Sequence, residues 1–234
     1  MRQLAIITGA SKGIGLATAA RFAEQGYAVV NLSRSPIPLA GAQQINADFC
    51  DPAWVAEAQP PLAAAMTGAE RIVLIHNAAI LRKDAVGSVD AHSLAEVLQV
   101  NVVAAAQLNQ LVLPFMKPGS SILYVGSTLS EKAVSNSCSY VTSKHAQLGL
   151  MRSTCQDLVD TGIHTACICP GFTDTEMLRS HIGTDPAVEA GVVSGMAVKR
   201  LVRPEEIAET LWFCANHPVI NGALIHANLG QVQR

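Results

Sequence analysis

A chain of 234 residues with a net charge of −2, half of its residues apolar and only 15% charged, has the size of one domain able to bury roughly 70–75% of its unfolded surface. No cluster of Lys and Arg points to nucleic acid or an anionic membrane, and no apolar run approaches the ~18 residues of a membrane span. The six cysteines show no C-x-x-C pair or metal-ligand spacing and the seven histidines are scattered, which predicts reduced thiols, a cytoplasmic setting and no metal.

The chain enters an apolar run, Leu4 to Ile7, almost at once, which predicts a buried strand and leaves no room for a signal or transit peptide. Thr8-Gly-Ala-Ser-Lys-Gly-Ile-Gly15 follows. An apolar pattern through Ala17, Ala20, Phe22 and Ala23 then ends at Gly26, where a helix takes its C-terminal glycine. Strand, glycine loop and helix in this order form a seat for a pyrophosphate. Backbone N–H groups and the positive end of the helix face the anion, while Gly9, Gly13 and Gly15, with Ser11, Lys12 and Ile14 between them, let the backbone come close. The spacing is G-x-x-x-G-x-G rather than G-x-G-x-x-G.

Asp51-Pro52 reads as an N-cap with proline at the first helical position, and Pro204-Glu-Glu206 as a second helix start with acids at its positive end. Further strands are expected at Ala28 to Leu32, Gln44 to Asn46, Arg71 to His76, Ser121 to Gly126, Thr165 to Cys169 and Ala223 to Ala227. Their alternation with helices predicts βαβ units and a seven-stranded parallel sheet in a Rossmann-like three-layer α/β sandwich, one domain over residues 1–234. Pro36, Pro38 and Gly41 interrupt the stretch from Ser35 to Gln43, where a crossover helix would lie, so that helix is expected to be shortened or missing.

Ser127 is followed by twelve residues and then by Tyr140-Val-Thr-Ser-Lys144. Four residues apart on a helix, Tyr140 and Lys144 share one face, so the ammonium favours the ionised phenol. A phenol of lowered pKa can give and take a proton near neutral pH, as carbonyl reduction or alcohol oxidation requires. The same spacing also occurs on solvated helix faces, and it is the glycine loop that raises the catalytic reading.

These motifs, in this order, resemble the classical short-chain dehydrogenase/reductase family over essentially the whole chain. Thr8 to Gly15 resembles its cofactor loop, and Asp48, followed by Phe49, stands where the family contacts adenine. His76-Asn-Ala-Ala79 looks like its Asn-Asn-Ala-Gly segment, with Asn77 and Ala78 beside the cofactor. Asn101, Ser127, Tyr140 and Lys144 match its catalytic tetrad, and Pro170-Gly-Phe-Thr-Asp-Thr175 looks like its nicotinamide-side loop. His76 and Ala79 depart from the family's Asn and Gly, which bears on packing beneath the cofactor and removes no catalytic group.

The resemblance implies hydride transfer to a small-molecule carbonyl. Tyr140 would deliver the proton, Ser127 would hold the oxygen, and Lys144 would tune the phenol and grip the nicotinamide ribose. Asn101 would anchor a water that relays protons to Lys144, and Pro170, Gly171, Thr173 and Thr175 would fix the carboxamide. NAD sites place an acid after the second strand. Here Asn31 to Ala47 contains none, Ser33 stands in its place, and Arg34 and Lys12 can meet a phosphate, which favours NADP(H).

Glu176 to Val202 carries Met177, Leu178, Ile182, Val192, Val193 and Met196 among glycines and can close as an apolar lid over an acyl chain, a quinone or an aromatic ketone. Arg179, Lys199, Arg200 and Arg203 could receive an acidic acyl carrier protein, which makes 3-oxoacyl thioester reduction the specific expectation. A cofactor-binding sensor without turnover is the alternative, and it would have no need of the tetrad. An epimerase or dehydratase would need a larger substrate domain. The Ala-, Val- and Leu-rich helices after Asn101 and around Tyr140 suggest a homotetramer, or a dimer.

Overall fold

The computed structural model describes residues 2–231. Its centre is a seven-stranded, all-parallel sheet in the order β3-β2-β1-β4-β5-β6-β7. The strands are β1 (Gln3–Thr8), β2 (Ala28–Ser33), β3 (Gln43–Asn46), β4 (Arg71–His76), β5 (Ser121–Val125), β6 (His164–Pro170) and β7 (Ala223–Ala227), each within a residue or so of its expected limits. Central strands are buried on both faces, which is why they read as unbroken apolar runs rather than alternating ones. Leu4 and Ile6 of β1 enter one core layer, and Ala5 and Ile7 the other.

On the first face α2 (Trp54–Met66), α4 (Ala104–Val112) and α5 (Cys138–Asp157) bury Trp54, Leu62, Leu108, Leu148 and Met151. On the second, α1 (Gly13–Glu24) and α8 (Pro204–Asn216) bury Phe22, Ile207 and Leu211. Truncating any one of these side chains to Ala costs about 2–5 kcal/mol. α1 ends as its glycine predicts. Gly26 has φ +81°, its N–H donates to Ala23 O and that of Tyr27 to Phe22 O, the two bonds of a Schellman cap.

α8 begins at Pro204 with Glu205 and Glu206 in its first turn, as expected. α2 does not begin at Pro52. Asp51 Oδ1 accepts from Ala53 N–H at 2.9 Å and the helix starts at Trp54, because the aspartate closes a turn of its own before the helical register sets in. α2 also runs through Pro60 and Pro61. The carbonyls these prolines leave without partners belong to exposed Ala56 and Glu57, where water can satisfy them.

No helix joins β2 to β3. Residues 34–42 form a strap instead, with Ile37, Leu39 and Ala42 packed on the core and Ile37 N–H bonded to Gln44 Oε1 at 3.2 Å. α3 (Ala91–Leu98), a π-helical turn (Gln99–Val103), α4 and a 3₁₀ turn are continuous. This Ala91–Phe115 stretch spans 25 residues and holds an 18-residue window of mean hydropathy 1.2, long and apolar enough by composition to cross a membrane, and 44% of that window is buried within the fold. No unbroken apolar run within it approaches that length, since Glu96, Gln99, Asn101, Gln107 and Asn109 interrupt it. α6 (Glu176–Ile182) and α7 (Pro186–Val193) lie between β6 and α8.

Strand order reverses between β1 and β4, so a crevice opens at the carboxyl ends of the neighbouring strands. The glycine loop leaves β1, Asn77 follows β4, Ser127 follows β5 and Pro170 ends β6. Topology alone therefore gathers most of the expected residues at one sheet edge.

Candidate active site

The glycine loop is built for close approach. A Cβ on Gly15 would lie 2.3 Å from Gly9 O and 2.5 Å from Asn77 Nδ2, so any other residue would force the loop off β4. Gly9 and Gly13 have φ of +69° and +55°, a region that favours glycine. Asn77 stitches loop to strand: its Nδ2 donates to Thr8 O at 2.9 Å and Gly9 O at 3.1 Å, and Thr8 Oγ1 accepts from the N–H groups of Asn77 and Ala78, both at 2.9 Å. α1 opens at Lys12 with no side-chain cap and no acid in its first turn. Its positive end is thus left for an anion, and the loop fits a dinucleotide pyrophosphate.

At the end of β2, Asn31 Oδ1 accepts from Ala10 N–H at 2.8 Å, and its Nδ2 donates to Ser33 Oγ at 2.8 Å and Gln44 Oε1 at 2.7 Å. Ser33 in turn donates to Ser35 O at 2.6 Å. Lys12 and Arg34 are exposed, and among the described residues neither is ion-paired. Asp48 is exposed and accepts from Cys50 N–H at 3.1 Å. Phe49, expected at the cofactor, turns its ring into the core against Trp54, centroids 4.9 Å apart, and its carbonyl accepts from Gln99 Nε2 at 3.2 Å.

Tyr140 and Lys144 lie on one face of α5, both buried. The phenol is pushed up to about 12 by burial, which outweighs the hydrogen bond from Ser127 that pulls it down. Lys144 is lowered to about 8, again by burial. The expected lowering of the phenol by its neighbour is therefore absent here. Lys144 Nζ donates to Val125 O at 2.7 Å and Gln147 Oε1 at 3.0 Å and sits 5.6 Å from the Tyr140 ring centroid. Ser127 caps the 3₁₀ turn Thr128–Ser130, which fixes its backbone beside α5.

Asn101 lies within the π-helical turn and is 1% exposed. Its Oδ1 accepts from Ile80 N–H at 2.8 Å, and its Nδ2 donates to Ile80 O at 3.0 Å and Ser143 Oγ at 2.9 Å. Its side chain thus clamps the post-β4 segment to α5, and its carbonyl accepts from Gln147 Nε2 at 3.3 Å. The hydroxyls expected at the carboxamide are also committed locally. Thr173 Oγ1 donates to Gly171 O at 3.0 Å, and Thr175 caps α6 by accepting from Leu178 N–H at 3.3 Å. Tight turns use hydroxyls this way, so these threonines offer mainly backbone to a ligand.

Two features carried no local signal. Asp84 accepts from the N–H of Ser139 at 2.9 Å and from the Ser139 hydroxyl, pinning the first turn of α5 immediately before Tyr140. His76 Nε2 donates to Asn109 Oδ1 at 2.8 Å, Asn109 Nδ2 donates to Tyr124 Oη at 2.8 Å, and that hydroxyl meets Thr154 Oγ1 at 3.1 Å. Burial pushes His76 down to about 4, so it stays neutral.

Arg179 pairs with Asp174 and Glu189, and Arg200 and Arg203 share Glu206. Three of the cations expected to meet an acidic carrier are thus already neutralised within the chain.

A family model for short chain dehydrogenases matches residues 3–185. A 3-oxoacyl-[acyl-carrier-protein] reductase, MabA, of Mycobacterium avium is 27% identical over 96% of this chain and 88% of its own. A cis-4-hydroxycyclohexanecarboxylate dehydrogenase of Sinomonas cyclohexanicum is 30% identical over 92% and 89%. Among solved structures, a short chain dehydrogenase family protein from Francisella tularensis subsp. tularensis SCHU S4 superposes with TM-score 0.90 at 26% identity, covering 99% of this chain and 98% of the other. A short chain dehydrogenase from Burkholderia cenocepacia J2315 in complex with NADP does so with TM-score 0.85 at 27% identity, covering 98% and 97%.

Proposed function

This chain belongs to the short chain dehydrogenase family, an oxidoreductase family, and from that premise we propose that it reduces a carbonyl to an alcohol with NADPH. The observation that carries the reading is the meeting of Ser127, Tyr140 and Lys144 at the carboxyl ends of β5 and α5's first turns, beside an uncapped helix N-terminus able to seat a pyrophosphate. Bound NADPH would supply the hydride. Tyr140, its phenol held protonated by burial, gives its proton to the carbonyl oxygen as charge builds there, and Ser127 holds that oxygen in line. Lys144 keeps its third N–H free for the cofactor side, because Val125 O and Gln147 Oε1 take the other two. Asn101 positions Ile80 and Ser143 around it.

Preference for NADPH is supported by Ser33 in place of an acid and by exposed, unpaired Lys12 and Arg34 among the described residues, and by the Burkholderia relative, which holds NADP. For the substrate, the Mycobacterium relative's name supports a 3-oxoacyl thioester and the Sinomonas relative's a ring ketone. Ion pairing of Arg179, Arg200 and Arg203 weakens the case for a carrier protein docked at that patch. A homo-oligomer through the π-helical turn and α5 is supported by exposed Val103 on the first and by exposed Ala146 and Gly149 on the second. Six unpaired cysteines among the described residues fit a reducing, cytoplasmic setting.

The test is NADPH consumption by the wild type and by Tyr140→Phe across 3-oxoacyl thioesters, ring and aromatic ketones and quinones. Turnover of one class that vanishes in the variant, with NADPH binding retained, is the expected result. Full activity of Tyr140→Phe removes the assigned role.

A further inference from the structure

Gln147 lies one turn beyond Lys144 on α5, 1% exposed, and the reading above uses only its oxygen, as one acceptor of the ammonium. Its side chain is held at both ends: Oε1 accepts from Lys144 Nζ at 3.0 Å and Nε2 donates to Asn101 O at 3.3 Å. The π-helical turn Gln99–Val103 places Asn101 off the regular i→i+4 ladder, which is how a helical carbonyl comes to face a neighbouring helix. Beside the bridge lies a cavity of about 10 Å³, the room of a single water, lined by Gln147, Asn101, His76, Thr8, Phe49 and Ala78 among others.

We propose that Gln147 is a positioning residue whose amide ties the Lys144 ammonium to the Asn101 carbonyl, doing with a side chain what a bound water was expected to do. A primary amide holds a proton donor firmly and does not pass protons on, so protons reach Lys144 from the cofactor side only. Lys144 is surrounded by few other groups that bear on its charge: Tyr140 on its own helix, Cys167 and Cys169 from β6, whose ionised forms would favour the ammonium, and neutral His76 from β4 across the cavity. The Gln147 oxygen is one of two fixed acceptors that keep the buried ammonium protonated. Without it the charged form loses a partner and the amine deprotonates at lower pH.

The consequence for turnover rests on the carbonyl-reductase reading, whereas the bridge itself does not, and the experiment separates them. In protein labelled at lysine Cε, the ¹³Cε shift of Lys144 is titrated in the free wild type, in Gln147→Leu, which keeps the volume and removes the acceptor, and in Gln147→Ala, which opens the adjoining cavity to water. Folding is checked by circular dichroism. Gln147→Leu lowers the Lys144 midpoint by half a pH unit or more, and Gln147→Ala falls less because water takes over the bridge. With a turned-over substrate, kcat of Gln147→Leu drops about tenfold at unchanged KM and its alkaline limb moves the same way. An unchanged midpoint in Gln147→Leu, or equal shifts in both variants, overturns the bridge. Absence of turnover in the wild type overturns the reductase reading and leaves the titration to decide this one.

Discussion

Asp84→Ala tests whether the catalytic helix is held from outside itself. The carboxylate accepts two hydrogen bonds from Ser139, a residue 55 positions away and fully buried. Bonds to a charged group contribute about 1.5–3 kcal/mol each, and an orphaned buried donor costs about 1–3 kcal/mol. Because Asp84 is only part-buried and water can reach one donor, we expect a loss of about 3 kcal/mol, which in a protein of this size lowers Tm by about 6–12 °C. Asp84→Asn keeps an acceptor for the Ser139 N–H and can donate to the hydroxyl, so it should lose only about 1 kcal/mol, roughly 2–4 °C. Thermal unfolding followed by circular dichroism measures both, and a cycle with Ser139→Ala should return a coupling of about 1–2 kcal/mol. Since Tyr140 follows Ser139 directly, kcat should fall in Asp84→Ala even where the protein is fully folded. A Tm within about 2 °C of wild type together with unchanged kcat would refute the tether.

Acid sensitivity should trace to His76. Its pKa is about 4 in the folded chain against an ordinary 6.5, so between those values the unfolded chain binds a proton the folded one refuses. Stability is complete above the upper value and falls as pH drops through the window, by roughly 3 kcal/mol at ~1.4 kcal/mol per unit. Urea midpoints at pH 7 and 5 should show His76→Asn losing less than wild type, and parallel losses would exclude His76 as the cause. Arg34→Ala should weaken NADPH binding about tenfold, the worth of one charge-assisted contact, and leave NADH unaffected, as read by fluorescence titration. An equal loss for both cofactors would show that Arg34 does not meet the extra phosphate. Ser33→Asp should reverse the preference, since its carboxylate would repel a phosphate and accept from ribose hydroxyls.

What could be read in the residues themselves is what neighbours in the chain encode. Apolar runs marked the central strands, because a buried parallel strand needs both faces apolar over consecutive positions, whereas edge strand β3, with only Ile45 buried, carries no such run. Gly26, Pro204 and the proline-rich strap at residues 34–42 marked a helix end, a helix start and a missing helix, because each acts through its own backbone torsions. The glycine loop and the spacing of Ser127, Tyr140 and Lys144 showed where chemistry would gather. The direction of the Tyr140 pKa was out of reach, because it depends on how deeply the fold buries the phenol and on which acceptors already hold Lys144. So were the Asp84 tether, the His76–Asn109–Tyr124–Thr154 chain, the inward turn of the Phe49 ring and the Gln147 bridge. Each joins residues from different elements, and only the folded strand order and helix layers bring such groups within hydrogen-bond distance while removing the water that would otherwise satisfy them.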